Sequence, residues 1–173
     1  TGVKFAYENG ADWVWTMDDD VVPNYDCLEE LMNYSSFSKC LHPSRETRDG
    51  LKYFWGEYLD LKKYRKYKLT EVEINDKNIY YPNVGCFEGM LISSEVIEKI
   101  GFPDSRFFIS GDDTIYGYLA SFHTNVSCVN SAKMIRAKSS LDNKVSPMYM
   151  YYVYRNFHLY EDYLKKTANK TFS

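Results

Sequence analysis

An apolar, aromatic-rich run, Trp13-Val14-Trp15-Thr16-Met17, ends abruptly on three consecutive aspartates, Asp18-Asp19-Asp20. The run is too short for an independent helix, so it reads as a buried strand that stops where the carboxylates begin. In open α/β sheets ligands gather beyond the carboxyl ends of strands, which puts three carboxylates where a substrate is expected. Hard divalent ions take oxygen ligands. Mg²⁺ or Mn²⁺ held by one or two carboxylates keeps its other positions for water and substrate phosphate. The alternative reading is an acidic surface turn, with Pro23 as ordinary loop chemistry.

Around that strand the pattern is α/β. Val3 to Asn9, ending at Asn9-Gly10, reads as a helix feeding the strand, a parallel α/β unit whose first strand would precede residue 1. Tyr25 to about Met32 follows as a short helix with Cys27, Leu28, Leu31 and Met32 on its apolar face. Leu41 to Pro82 is polar, aromatic and basic, including Tyr53-Phe54-Trp55 and Lys62-Lys63-Tyr64-Arg65-Lys66, and reads as an antiparallel or irregular insertion. Its basic run is first a solvated strand or turn, and second a surface for phosphate or for peripheral membrane contact.

Val84 to Ile92 returns to strand character, with glycines that permit close backbone approach. Ser93 and Ser94 cap a helix through Ile100 that Gly101 stops. The apolar stretch Arg106 to Ser110 then ends in Gly111-Asp112-Asp113, and Ile115, Tyr118, Leu119 and Phe122 recur at helical spacing beyond it. The acid pair thus opens an amphipathic helix, whose N-terminus favours negative charge. Capping acids are the alternative. Thr124 to Val129 reads as a strand, followed by a polar stretch rich in Lys and Ser. Met148 to about Lys166 reads as an aromatic helix packed through Tyr149, Tyr152, Val153 and Leu159.

Bulk properties narrow the class. The 173 residues fit one domain, and the 17 tyrosines suit stacking on polar substrates as well as core building. A net charge of −3 argues against a nucleic-acid surface, and no apolar run reaches the length of a membrane span. Cys27, Cys40, Cys86 and Cys128 lack metal-site spacing and read as reduced, mostly buried thiols of a cytoplasmic protein. Sequons at Asn33, Asn125 and Asn169 would matter only in a secretory compartment. The opening Thr1-Gly2-Val3 has no initiator Met, so the chain reads as part of a longer protein with a sheet edge open to self-association.

Two carboxylate clusters can divide the labour of one reaction: the first holds a metal that neutralises a diphosphate leaving group, and the second accepts a proton from an incoming hydroxyl. That describes displacement at an anomeric carbon of a nucleotide sugar. A phosphohydrolase or nuclease would want further acids near the first cluster, and none beyond Asp26 stands out. A non-catalytic sugar-binding module is the other class.

The stretches Gly10 to Pro23, Phe107 to Asp113 and Tyr151-Tyr152-Val153-Tyr154-Arg155-Asn156 resemble, in order, family-two glycosyltransferases, most of all bacterial galactofuranosyltransferases and rhamnosyltransferases. The resemblance implies a GT-A fold, Rossmann-like, with a mixed sheet flanked by helices. Residues 1–173 would be one partial catalytic domain whose first strands are missing, so this stretch alone should bind a nucleotide sugar weakly. It also implies inverting, Mn²⁺- or Mg²⁺-assisted transfer from a nucleotide-diphosphate sugar to a glycan or lipid-linked acceptor, in the cytoplasm at the inner face of the membrane. Asp18 and Asp20 match the metal-binding ends of a DxD motif, with Asp19 near the donor; Asp113 matches the catalytic base, and Asp112 would orient the acceptor or the base. Phe87, Glu88 and Gly89 fall in the donor and acceptor pocket. Arg136 stands where many relatives carry a metal-binding His and could neutralise diphosphate directly, with His123 and His158 as substitute ligands.

Overall fold

The computed structural model describes residues 2–50, 52–53, 56–60, 63, 65–69, 78–137 and 146–168. Tyr53 and part of the basic run are among them, whereas Phe54, Trp55, Lys62, Tyr64 and the sequon at Asn169 lie outside the described residues. Helix α1 (Gly2–Glu8) leads into β1 (Trp13–Trp15), followed by β2 (Val21–Pro23), α2 (Cys27–Met32) and β3 (Cys40–Thr47). Then come β4 (Lys52–Tyr53), β5 (Glu57–Asp60), β6 (Arg65–Lys68), β7 (Ile79–Tyr80) and β8 (Leu91–Ser93). Helices α3 (Ser94–Ile100) and α4 (Asp112–Ala120), strand β9 (Val126–Arg136) and helix α5 (Pro147–Ala168) complete the order.

The sheet is organised on a central parallel pair, β3 and β9, whose register shifts between Pro43 and Ser44. Short antiparallel strands flank that pair. On one side β8 pairs the first half of β3 and β4 its end; on the other β7 and β2 pair successive parts of β9. β1 lies outside β8, antiparallel to it. β5 and β6 form a separate hairpin.

Alternate residues of β3 and β8 face opposite sides, as the period of a strand requires. Cys40 and Ile92 join Val3, Val14, Val96, Ile97, Tyr116 and Val126 in one core layer under α1, α3 and α4, while Leu41 and Leu91 join Cys27, Leu31 and Val129 under α2. Truncating Leu31 or Leu41 to Ala, each fully buried, is expected to cost about 2–5 kcal/mol. Ser93 caps α3 by accepting from Glu95 N (3.2 Å), and Gly101 at φ 78° ends it.

Several expectations are corrected. The run ending at Met17 is extended and regular only to Trp15, and its described partner is antiparallel, not parallel. Residues 41–47, placed in the insertion by their polar letters, belong to the central strand Cys40–Thr47, in which Arg45 pairs with the buried Glu88 and Glu46 with Lys133 of β9. Pro23 ends β2 instead of marking a loop, at the sheet margin where its missing N–H is tolerated. Residues 84–90 are mostly turns, and only Leu91–Ser93 pair as a strand. The strand expected over Thr124 to Val129 runs on to Arg136 through part of the polar stretch. Tyr149 is exposed on α5, whereas Tyr152, Val153 and Leu159 are half-buried. The four cysteines are free and all but Cys86 are buried.

Candidate active site

The backbone beyond β1 is locked to the turn at 87–90. Thr16 N donates to Met90 O (2.9 Å), Gly89 N to Thr16 O (3.1 Å), and Thr16 Oγ1 to Phe87 O (2.8 Å). The Trp15 indole donates to Gly89 O at 3.1 Å. Gly89 sits at φ 98°, and a Cβ there would lie 2.7 Å from Pro43 Cγ, so this turn requires glycine. The same turn delivers Glu88 to the aspartates: oxygens of Asp18, Asp20 and Glu88 lie within 4.8 Å of one another. Ala137 N donates to Asp20 O (2.7 Å), and Arg136 lies across from Val21 in the β2–β9 register, so the end of β9 reaches the same place.

Glu88 is 6% exposed and stands between two guanidiniums. Arg45 Nη1 donates to Oε2, and Arg136 Nε lies 2.7 Å from Oε1. A carboxylate this deep needs such partners, since an uncompensated buried charge is strongly destabilising. Two guanidiniums against three carboxylates leave the group negative. Partial desolvation, then Asp20, raises the Asp18 carboxyl above its ordinary range against the pull of Arg136 and Arg45. Crowded like charges of this kind are what a divalent cation relieves. Asp19 is exposed beside them, and Phe87 packs its ring on Tyr116 at 5.7 Å.

The second cluster opens α4. Asp113 Oδ1 accepts from Thr114 N (2.6 Å) and from Thr114 Oγ1 (3.3 Å). Burial foremost, then the neighbouring Asp112 carboxylate, pushes Asp113 up to about 6 against the Thr114 hydrogen bonds and Lys66. A carboxylate so placed is a proton acceptor near neutral pH. Lys66 comes from the β5–β6 hairpin, where it pairs with Glu57 at 2.7 Å. That hairpin is anchored by Asn83, which accepts from Leu59 N (2.6 Å) and donates to Leu59 O (2.9 Å). Asp112 lines a small cavity with Ile115, Tyr116 and Tyr163.

A glycine contact joins the clusters. Gly117 of α4 lies directly on Gly85, and a Cβ on Gly85 would come 2.6 Å from Asp113 O. Between them the Cys86 thiol feels both Asp113 and Glu88, and burial pushes it up to about 12. His42, buried in the neighbouring core, takes Cys86 N–H on Nε2 (3.3 Å), and burial holds it near 3, neutral at ordinary pH.

Among the described residues the acidic group contains no histidine: His123 is exposed, and His158 is an exposed residue of α5 with Nδ1 3.9 Å from Glu161. The expectation that no acid beyond Asp26 attends the first cluster is overturned by Glu88, which arrives from the far turn. Arg45 was invisible to sequence reading, because an arginine in a polar stretch gives no sign of burial. Thr16 and Lys66 were missed for a similar reason, being positioned by long-range contacts.

No protein-family model matches the chain, and no curated protein does either. Among solved structures it is similar to GalNAc-T7, crystallised with UDP, GalNAc and Mn²⁺, at a TM-score of 0.57 and 13% identity over 78% of this chain. The match spans 29% of that protein's length. It is also aligned with A197 from STIV at a TM-score of 0.46 and 17% identity, over 79% of this chain and 63% of that one. The likeness to the first shows the fold: a mixed α/β, GT-A-like, Rossmann-type architecture.

Proposed function

We propose that the full-length protein is an inverting glycosyltransferase that moves a sugar, galactofuranose or rhamnose in kind, from a nucleotide-diphosphate donor to a hydroxyl of a glycan or lipid-linked acceptor. The observation that carries this reading is the meeting of the Asp18, Asp20 and Glu88 carboxylates at one strand end, with a half-buried Asp113 on a helix packed against Gly85, in the segment that leads to Glu88. The oxygen donors fit a hard divalent ion, Mn²⁺ or Mg²⁺, held by Asp18 and Asp20. When bound, that ion would neutralise the diphosphate as its bond to the sugar breaks.

The chain's own residues supply the rest. Glu88 holds Arg45 and Arg136 in place, and Arg136, only 20% exposed, presents positive charge toward the diphosphate. Asp19, Phe87 and Gly89 line the donor side. Asp113 takes the proton of the acceptor hydroxyl as that oxygen forms its bond to the anomeric carbon; the carbon–oxygen bond to diphosphate breaks on the opposite face, and the configuration inverts. Asp112 orients the acceptor or the base. A carboxylate whose ionised form is disfavoured by burial holds a proton more tightly than an exposed one, as a base for an alcohol requires.

No helix among the described residues is long and apolar enough to cross a membrane. A cytoplasmic placement at the inner membrane face, with lipid-linked acceptors, is part of the same proposal. A panel of nucleotide sugars, incubated with full-length protein in Mn²⁺ and in EDTA, tests it. The expected result is metal-dependent consumption of one donor. Phosphate release from simple phosphate esters, with every nucleotide sugar intact, would replace it with hydrolysis.

A further inference from the structure

Residues 106–111 form an irregular loop that ends at the first turn of α4, and two of its backbones are left-handed: Ile109 at φ 68° and Gly111 at φ 92°. Glycine adopts that region freely; a β-branched residue there is an outlier that persists only where its surroundings over-determine it. Those surroundings belong to α5. Asn156 is 1% exposed, and its Nδ2 donates to Phe108 O (3.1 Å) and to Ser110 O (2.7 Å), the two carbonyls that bracket Ile109.

The amide cannot turn over without losing its other partner. Its Oδ1 accepts from Arg155 Nε (3.0 Å) and Nη2 (2.8 Å), and Arg155 Nη2 also donates to Arg106 O at the start of the loop. Tyr152 lies under the Arg155 guanidinium at 4.9 Å and meets Phe108 edge-on at 4.6 Å. Phe107 packs on Tyr160 and Tyr163, and a Cβ on Gly111 would lie 2.5 Å from Tyr160 Cε2. One helix therefore grips the loop along its whole length. Simple packing would be served by an apolar side chain at 156. A buried amide that gives both its protons to one strained turn instead fixes that turn's conformation.

We infer that Asn156, oriented by Arg155, is a positioning residue that sets the backbone from which Asp113 is presented to the acceptor hydroxyl. The inference rests on the reading of Asp113 as the base. It assigns a task to the Tyr151 to Asn156 motif that the donor and metal chemistry leaves unused.

The test is a double-mutant cycle in full-length protein, using release of nucleoside diphosphate from the consumed donor, with UDP in Mn²⁺ as the calorimetric probe. Asn156→Ala, shown to be folded at the assay temperature, is expected to lose about 10²-fold in kcat, the scale of a displacement on the order of 1 Å at the reacting group. Donor KM and UDP affinity should stay within about twofold, since the lost interaction acts only on the chemical step. In an Asp113→Asn background the same substitution should remove less than about twofold more, because both changes act on one group. If Asn156→Ala melts below the assay temperature, Arg155→Lys, which keeps the charge and loses the fork, is expected to lose about tenfold in kcat with the same unchanged KM.

Wild-type kcat in a folded Asn156→Ala protein, with Asp113→Asn inactive, overturns the positioning role and leaves the base reading intact. A full additional loss in the Asp113→Asn background overturns it as well. Normal turnover by Asp113→Asn alone overturns the base reading, and this inference with it.

Discussion

Asp18 and Asp20 stand at the solvent end of the sheet with Arg45 and Arg136 behind them, whereas Asp113 is half-buried at the start of α4, close to another carboxylate and opposed by Lys66. The side chain is the same in both places. In the first, the protein gathers negative charge and partly balances it with buried cations, in a group whose oxygens could hold a divalent ion. In the second, desolvation and a neighbouring carboxylate raise the acid so that it holds a proton more tightly than an exposed one. The contrast teaches that aspartates in short clusters are told apart by what lies behind them, not by their spacing.

Breaking the buried side of that contrast should have the largest effect. Asp113→Asn in full-length protein is expected to lower transfer by about 10²–10⁴-fold with donor binding nearly intact, the scale of a lost general base. Steady-state kinetics beside calorimetry separate the two quantities. Next comes the support of the exposed side: Glu88→Gln removes the counter-charge of Arg45 and is expected to lower stability by about 3 kcal/mol, read from urea unfolding. An unchanged midpoint would mean that Arg45 is satisfied without Glu88.

Asp20→Ala should then reduce metal-dependent nucleotide-diphosphate binding by about tenfold or more, while metal-free binding is unaltered. Equal binding with and without Mn²⁺ in the wild type would erase the difference between the clusters. The smallest effect sharpens the comparison. Asp113 titrates near 6 in the native state against an ordinary 3.8. As pH falls through 6 the native protein takes up a proton that the unfolded chain does not, so the burden of the buried charge is present above pH 6 and relieved toward pH 4. Asp113→Asn should therefore melt a few degrees higher than wild type at pH 7.5, at about 2–4 °C per kcal/mol for a chain of this size, with the gap narrowing as pH falls below 6 and closing toward 3.8.

The same contrast explains how much was legible in the sequence. Helices α1 to α5 announced themselves, because capping at Ser93, the stop at Gly101 and the spacing of Ile115, Tyr118 and Leu119 are local signals. The strand before the aspartates did so too, in its apolar letters. β3 is hidden because its buried Arg45 is paired by the distant Glu88, and Glu88 gives no sign of its place because no local pattern reports that a turn at 87–90 docks onto Thr16. The motif Tyr151 to Asn156 is plain in the sequence, but nothing local in it reports the hydrogen bonds of Asn156 to the loop before Asp112. Local order was readable; which charges face each other was not.

The pair Gly85 and Gly117 has a wider meaning for how such a chain can change. Because neither residue has a side chain, α4 rests backbone to backbone on the segment that leads to Glu88, and the gap between the two acid sites is fixed by the absence of two methyl groups. An alanine at either position would act as a shim, lifting Asp113 away from the segment that leads to Glu88 while leaving the identity of every acid unchanged. The β5–β6 hairpin, by contrast, is tied down through side-chain hydrogen bonds between Asn83 and the Leu59 backbone, a contact made by a replaceable side chain. The interval between the two carboxylate centres is held by a joint with nothing to trim.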